Sequence, residues 1–134
     1  MTGTLLLDSE GLSLLYRQHR GVVVRFEAAR LEGVRVATTA MTRLEAEDRA
    51  VHPARINWVL ARIDVHPVTR ELSDDAADLL RDNRLGGHRH AIDAVLAAVA
   101  NAAPGPVTVL TSDPRDLERL CRPGVLIVSL GRGA

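Results

Sequence analysis

Short apolar runs that alternate with helix-like segments are the feature of this 134-residue chain that most restricts its fold. Each run ends in turn or capping residues, and the four clearest cover residues 4–7, 34–37, 107–110 and 125–128. Apolar strands separated by helices are typical of a parallel sheet with helices on both faces. The pattern predicts an α/β protein built around a mostly parallel sheet.

The segments between the runs carry helical spacing of apolar residues. Two helices are predicted after the first strand, through Leu12, Leu15 and Tyr16 and across residues 23–31. Further helices are predicted for residues 40–49, 56–63, 73–84 and 88–103. The last is apolar enough to be central. A weaker strand at residues 65–68 contains Pro67, which restricts it to a loop or a sheet edge.

The length and the 46% hydrophobic content suit one domain with a single core, predicted to span residues 1–134. Equal numbers of basic and acidic residues, 17 of each, give no overall attraction to nucleic acid or anionic membrane. Any such contact must therefore come from a local patch of charge.

All of the basic residues other than histidine are arginine. The absence of lysine excludes phosphate-loop NTPases, Schiff-base enzymes and the lysine-assisted aspartyl-phosphate families, because each needs a lysine amine. Cys121 is the only cysteine, which excludes an intramolecular disulfide and a multi-cysteine zinc site. With no export signal or membrane segment evident, we expect a cytoplasmic protein with no membrane partner.

Aspartates follow two of the predicted strands, where ligand sites form in open α/β sheets. Asp8 follows the first run and Asp113 follows the third. Helix capping also explains Asp113, since Pro114 suits the first position of a helix and Asp116 the first turn. It explains Asp8 less well, because the neighbouring Ser9 could cap instead and leave the carboxylate free.

Two further carboxylates lie on predicted helices. Asp93 adjoins the apolar stripe of the central helix, where an unpaired charge is costly, so it requires an arginine partner or a shared metal ion. Glu45 lies on the helix after the second strand, in an acidic group that by itself suits a solvated surface. Together these hard oxygen ligands favour Mg²⁺ or Mn²⁺, ions that bind phosphates and orient water for in-line attack.

Four segments carry a resemblance to a known family: residues 5–9, 38–45, 87–94 and 110–117. In order and spacing they resemble the four acidic motifs of PIN domains, most closely the VapC-type toxins of bacterial toxin–antitoxin pairs. The resemblance covers nearly the whole chain and implies a three-layer α/β/α sandwich. It implies a metal-dependent endoribonuclease that forms a homodimer and is inhibited by a cognate antitoxin.

By the same resemblance Asp8, Glu45, Asp93 and Asp113 are the catalytic, metal-binding acids. Ser9 supports the first, and Asp116 is a substitute or helper for the last. Glu10 departs from the small residue usual in the family, so it either adds a carboxylate or points away. The sequence leaves open which RNA is cut, whether one or two metals bind, and whether Asp113 or Asp116 is the fourth ligand.

Other residues have competing explanations. His88 and His90 near Asp93 suggest zinc, but solvated or RNA-contacting histidines are the favoured interpretation. Arg43, Arg89 and Arg115 are candidates to bind RNA phosphates. Trp58 is predicted to lie in the core or at a dimer contact. The apolar faces of residues 22–31 and 56–63 could hold an antitoxin or a second subunit.

Three other functions fit the same residues. The first is a catalytically inactive PIN-fold binding module whose acids only cap helices. The second is a metal-dependent nuclease that acts on DNA. The third, a metal-dependent phosphatase, is disfavoured by the missing lysine and by the absence of an Asp-x-Asp pair.

Overall fold

A five-stranded sheet forms the centre of the computed structural model, which describes residues 3–131. The strands are β1 (Thr4–Leu7), β2 (Arg35–Thr39), β3 (Asp64–His66), β4 (Val107–Thr111) and β5 (Leu126–Ser129). They are all parallel, in the order β3-β2-β1-β4-β5. The predicted parallel α/β architecture is confirmed, while residues 1–2 and 132–134 of the predicted domain lie outside the described residues.

Seven helices connect these strands within residues 3–131. They are α1 (Ser9–Tyr16), α2 (Arg20–Leu31), α3 (Ala40–Glu45), α4 (Pro53–Leu60), α5 (Arg70–Asp82), α6 (Gly87–Ala102) and α7 (Pro114–Leu120). The pair α1 and α2 follows β1, as the spacing of apolar residues predicted.

Alternating side chains of the sheet contact helices on its two faces, because successive strand residues point in opposite directions. Leu5 and Leu7 pack with residues of α1, α2 and α4. Leu6 packs with residues of α6 and α7 on the opposite face. Helix α5 packs mainly on α6 through a small cluster that includes Ala76 and Ala94. The molecule is therefore a three-layer α/β/α sandwich.

The strand order places β1 beside β4 at the middle of the sheet. The chain runs from β1 outwards to β2 and β3 and then returns to β4 and β5. Parallel sheets form a crevice beyond the carboxyl ends of their strands where the order reverses in this way. The residues that follow β1 and β4 therefore meet at that crevice.

Two predicted element boundaries differ because polar side chains bond to nearby backbone. Helix α3 ends at Glu45 instead of residue 49, since Asp48 forms a turn in which its carboxylate accepts from Ala50 N at 2.8 Å and pairs with Arg17 at 2.6 Å. Strand β2 continues to Thr39 instead of residue 37. Its buried Thr38 hydroxyl donates to Leu7 O at 2.8 Å, which satisfies a polar group inside the sheet.

Helices α4 and α5 each begin three residues before the predicted start. Pro53 occupies the first turn of α4, and His52 Nδ1 accepts from Ala54 N at 3.0 Å. Thr69 caps α5 by accepting from Leu72 N at 3.1 Å. The weak strand prediction near Val65 is resolved as β3, which lies at the sheet edge and ends before Pro67.

Candidate metal centre

Asp8 is a buried carboxylate held by two backbone amides at the carboxyl end of β1. Its Oδ1 accepts from Gly11 N at 2.8 Å, and its Oδ2 accepts from Ser112 N, beyond β4, at 2.9 Å. Asp8 rather than Ser9 is therefore the cap of α1, and the suggestion that Ser9 would free this carboxylate is wrong. The two bonds fix the orientation of Asp8 and join the ends of the central strands.

Asp93 lies in α6 immediately before a fully buried stretch of that helix, residues 94–100. Its carboxylate forms no ion pair within residues 3–131, so the arginine partner considered from the sequence is not found there. Burial and, in decreasing order, the charges of Asp8, Asp113, Asp116 and Glu45 together raise the pKa of Asp93 from 3.8 to about 6. The site thus concentrates negative charge, and no arginine of residues 3–131 forms an ion pair with these acids.

Asp113 and Asp116 approach Asp93 from the start of α7. One carboxylate oxygen from each of the three residues lies within 4.8 Å of the others. Asp113 occupies the position before α7, but its side chain makes no capping hydrogen bond. Its backbone amide instead donates to Thr111 Oγ1 at 2.9 Å. The capping explanation for Asp113 is therefore not supported, and its carboxylate is exposed to solvent beside Asp93.

Glu45 lies at the outer side of this group. It is the last residue of α3, a short helix that begins with Thr39 accepting from Thr42 N at 3.0 Å and that packs against α6. Glu45 is exposed and contributes the weakest of the four charge effects on the pKa of Asp93. Glu10 is exposed in the first turn of α1 and is not among the charges that affect Asp93.

The structure therefore brings the predicted acids together at one edge of the sheet, three of them in a close group and two farther out. The tightest group is Asp93, Asp113 and Asp116, while Asp8 and Glu45 are near enough to affect Asp93 electrostatically. A site made of carboxylate oxygens alone fits a hard divalent ion such as Mg²⁺ or Mn²⁺. We name the five carboxylates Asp8, Glu45, Asp93, Asp113 and Asp116 the acidic site.

The histidines of α6 do not form a zinc site within the described part of the chain. His88 is exposed, and neither it nor His90 joins the three-carboxylate group. His90 nevertheless approaches Asp116, with 3.5 Å between Nδ1 and Oδ2. The sequence interpretation missed this contact, although the three-residue spacing of His90 and Asp93 places both on one side of a helix.

Three arginines lie on the helices that also carry Glu45, Asp93 and Asp116, namely α3, α6 and α7. Arg43, Arg89 and Arg115 are exposed, and none of them forms an ion pair with another residue of the 3–131 range. Guanidinium groups of this kind are suited to phosphate oxygens. Because the whole chain has no net charge, any attraction to nucleic acid must come from such exposed arginines.

An apolar groove lies between α2 and α4, on the face of the sheet that α1, α2 and α4 cover. It has a volume of about 420 Å³, and its apolar lining includes Leu15, Val23, Phe26 and Trp58. Trp58 is 38% exposed, so it does not lie in the core. The guanidinium of Arg62 lies 3.8 Å from the centre of its ring. We call this surface the α2–α4 groove.

Cys121 lies outside both of these sites. Cys121 is buried, and burial raises the pKa of its thiol to about 11, which keeps it protonated and unreactive at neutral pH. Within residues 3–131, no helix is both long and apolar enough to cross a bilayer.

The comparisons with known proteins identify a similar fold. No family model matches the sequence, and no curated protein matches it either. A chain in the crystal structure of VapBC2 from Rickettsia felis, bound to a DNA fragment from their promoter, superposes with a TM-score of 0.68 at 13% sequence identity. The match covers 96% of this chain and 99% of that chain. The sandwich therefore has the PIN-like fold that the sequence resemblance implied.

Proposed function

We propose that this protein is a Mg²⁺- or Mn²⁺-dependent endoribonuclease and the toxin of a toxin–antitoxin pair. The observation that carries the proposal is the acidic site, in which three carboxylates converge within 4.8 Å at the switch point of a parallel sheet. The similarity to a VapBC2 chain supports the same assignment, because the four sequence motifs resemble VapC-type toxins.

The acids would hold the metal in distinct ways. Asp93, Asp113 and Asp116 would be the nearest ligands, and Asp8 would contribute an oxygen whose direction is set by Gly11 and Ser112. Glu45, on the exposed side, would complete the set directly or through water. A divalent ion there would supply activation of water and neutralisation of phosphodiester charge.

Arginine side chains would hold the RNA substrate in place beside the metal. Arg43, Arg89 and Arg115 would bind phosphates on either side of the scissile bond, as positioned guanidinium groups commonly do. No lysine, serine or cysteine nucleophile is needed, since the attacking group would be water. In the absence of metal, the raised pKa of Asp93 lets this carboxyl retain a proton to a higher pH than an ordinary aspartate does.

The α2–α4 groove is the surface we assign to the cognate antitoxin. Its apolar floor and its rim of Arg20, Arg55 and Glu27 suit an amphipathic segment of a partner protein. The homodimer implied by the resemblance would use a different surface, so that both partners bind at once.

A binding module without catalysis is the second candidate, and the bonds of Asp8 favour it. A carboxylate that caps α1 and joins β4 is needed for folding whether or not a metal binds. Metal binding without cleavage of any nucleic acid would support this alternative. Preferential cleavage of duplex DNA would instead support the deoxyribonuclease.

The deciding experiment is cleavage of total cellular RNA by the chain after removal of any copurifying partner. Reactions would contain Mn²⁺, Mg²⁺ or EDTA, with duplex DNA and a mononucleotide as competing substrates. Asp93→Asn is expected to lower cleavage by at least about 100-fold, since it removes a ligand from the site. The matched control Asp74→Asn changes an exposed aspartate of α5 and should retain full activity.

Discrete RNA fragments that require metal and Asp93 would support the nuclease. Cleavage that persists in EDTA, or that is lost equally in Asp74→Asn, would contradict it. Thermal unfolding of each variant would show that any lost activity does not reflect lost structure.

A further inference from the structure

His90 lies against the acidic site without belonging to the three-carboxylate group. Its Nδ1 is 3.5 Å from Asp116 Oδ2, and the two side chains are only 16% and 23% exposed. Within the described residues, Nδ1 is shielded from solvent and has no hydrogen bond of normal geometry. A buried polar nitrogen without a partner is unfavourable, so the nearby carboxylate is its natural acceptor.

The positions of these residues on two helices explain the contact. His90 and Asp93 are three residues apart on α6, a spacing that places them on the same side of the helix. Asp113 directly precedes α7, and Asp116 lies in its first turn. Because α6 packs against α7, the two pairs face each other. His90 therefore contacts the acid that lies one turn into α7, while Asp93 lies within the carboxylate group.

We propose that His90 is a positioning residue that donates from Nδ1–H to Asp116 Oδ2 and holds this carboxylate within ligand distance of Asp93 and Asp113. An ionised carboxylate can only accept, so the contact requires the proton on Nδ1. The inference rests on the proposed metal site and deepens it, because it names the residue that orients Asp116 as a ligand. Carboxylate ligands of metals are commonly fixed by such outer hydrogen bonds.

The competing explanation is that His90 only fills space between α6 and α7. Two amide substitutions separate the explanations, because the asparagine amide nitrogen lies close to the position of Nδ1 and the glutamine amide lies close to that of Nε2. A donor at the Nδ1 position is therefore retained in His90→Asn and lost in His90→Gln. His88→Gln is the matched control, since His88 is an exposed histidine of the same helical turn.

The measurement is Mn²⁺ affinity of the full chain without RNA, followed by the electron paramagnetic resonance signal of free Mn²⁺. We expect His90→Gln to weaken Mn²⁺ binding by about 10-fold, because it loses the hydrogen bond to Asp116. His90→Asn retains a donor and His88→Gln leaves the contact intact, so their affinities should stay within about threefold of the parent. Thermal unfolding in EDTA should be similar for all four proteins. Parental affinity in His90→Gln, or equal loss in the two His90 variants, would overturn the proposal.

Nitrogen-15 NMR of the metal-free parent at pH 8 gives a test that needs no variant. The Nδ1 shift of His90 is expected to be that of a protonated nitrogen, whereas a proton on Nε2 with Nδ1 bare would overturn the contact. A parent that binds no Mn²⁺ removes both the metal site and this inference. A parent that binds Mn²⁺ but cuts no RNA removes only the nuclease, and the His90 effect on affinity would still be expected.

Discussion

At the scale of single residues, Asp8 and Asp93 have different relations to stability. Asp8 bonds to two backbone amides, so replacing it disturbs the end of β1 as well as any metal. Asp93 makes no ion pair within residues 3–131 and has a raised pKa, so its ionised form opposes folding when no metal is present. A substitution at Asp93 therefore tests the role of the carboxylate without removing a hydrogen bond or ion pair that stabilises the fold.

Replacing Asp93 by Asn is expected to stabilise the metal-free protein at alkaline pH. The folded-state pKa is about 6 against an ordinary value of 3.8, so the penalty is absent below pH 3.8 and complete above about pH 6. After allowance for solvent screening of this half-buried group, the gain should be about 1–2 kcal/mol at pH 8. Urea unfolding in EDTA at pH 8 and at pH 4 measures it.

The control for this prediction is Asp74→Asn, which should show no such pH dependence because Asp74 is exposed. Saturating Mn²⁺ should make the parent more stable than Asp93→Asn, since the parent gains stability by binding the ion and the variant does not. A variant that is less stable than the parent at pH 8 in EDTA would contradict the raised pKa.

At the scale of elements, β1 determines where the acidic site forms, and its position is set at its start. Thr4 N donates to Pro106 O at 2.9 Å, and Arg35 N donates to Gly3 O at 3.1 Å. Gly3 has a φ of +85°, and a Cβ atom there would lie 2.5 Å from Pro106 O. Only glycine fits between the chains that lead into the neighbouring strands.

Gly3→Ala is therefore expected to destabilise the protein by about 2 kcal/mol, from backbone strain and the collision with Pro106. Thermal unfolding measures the change. The matched substitution is Gly87→Ala, where a Cβ would lie 3.8 Å from Leu80 Cδ1 at the start of α6. It should be neutral or slightly stabilising. Equal changes in stability for the two substitutions would contradict this, because they would mean that the backbone at the start of β1 moves to make room for a Cβ atom.

At the scale of the whole molecule, the acidic site and the α2–α4 groove lie on different parts of the surface. The acidic site lies beyond the carboxyl ends of β1 and β4, and the α2–α4 groove lies on the helical face formed by α1, α2 and α4. Trp58 lines that groove and is 38% exposed, so it adds apolar surface to a site that already contains Leu15, Val23 and Phe26.

We expect light scattering of the partner-free protein to give twice the chain mass of 14.5 kDa. Trp58→Ala should keep this mass, because the groove is assigned to the antitoxin and not to the second subunit. A monomeric Trp58→Ala protein would contradict that assignment. Val68→Ala, which also removes an exposed apolar side chain, is the control.

The sequence alone predicted the α/β class, four of the five strands and the number of helices after β1. It could do so because buried parallel strands are short apolar runs and helices repeat their apolar residues with a distinct period. It placed element ends less well, since caps such as Thr69 and the turn at Asp48 depend on side chains that bond to particular amides. It also identified the five carboxylates of the acidic site as candidate metal ligands.

Only the tertiary structure decided how these acids are arranged. Asp8, Asp93 and Asp113 are far apart in sequence, and their proximity results from the pairing of β1 with β4 and the packing of α6 on α7. The bond from Ser112 to Asp8 and the approach of His90 to Asp116 are contacts between different elements. Local propensity determines each element, whereas side chains distant in sequence come together only when the elements pack.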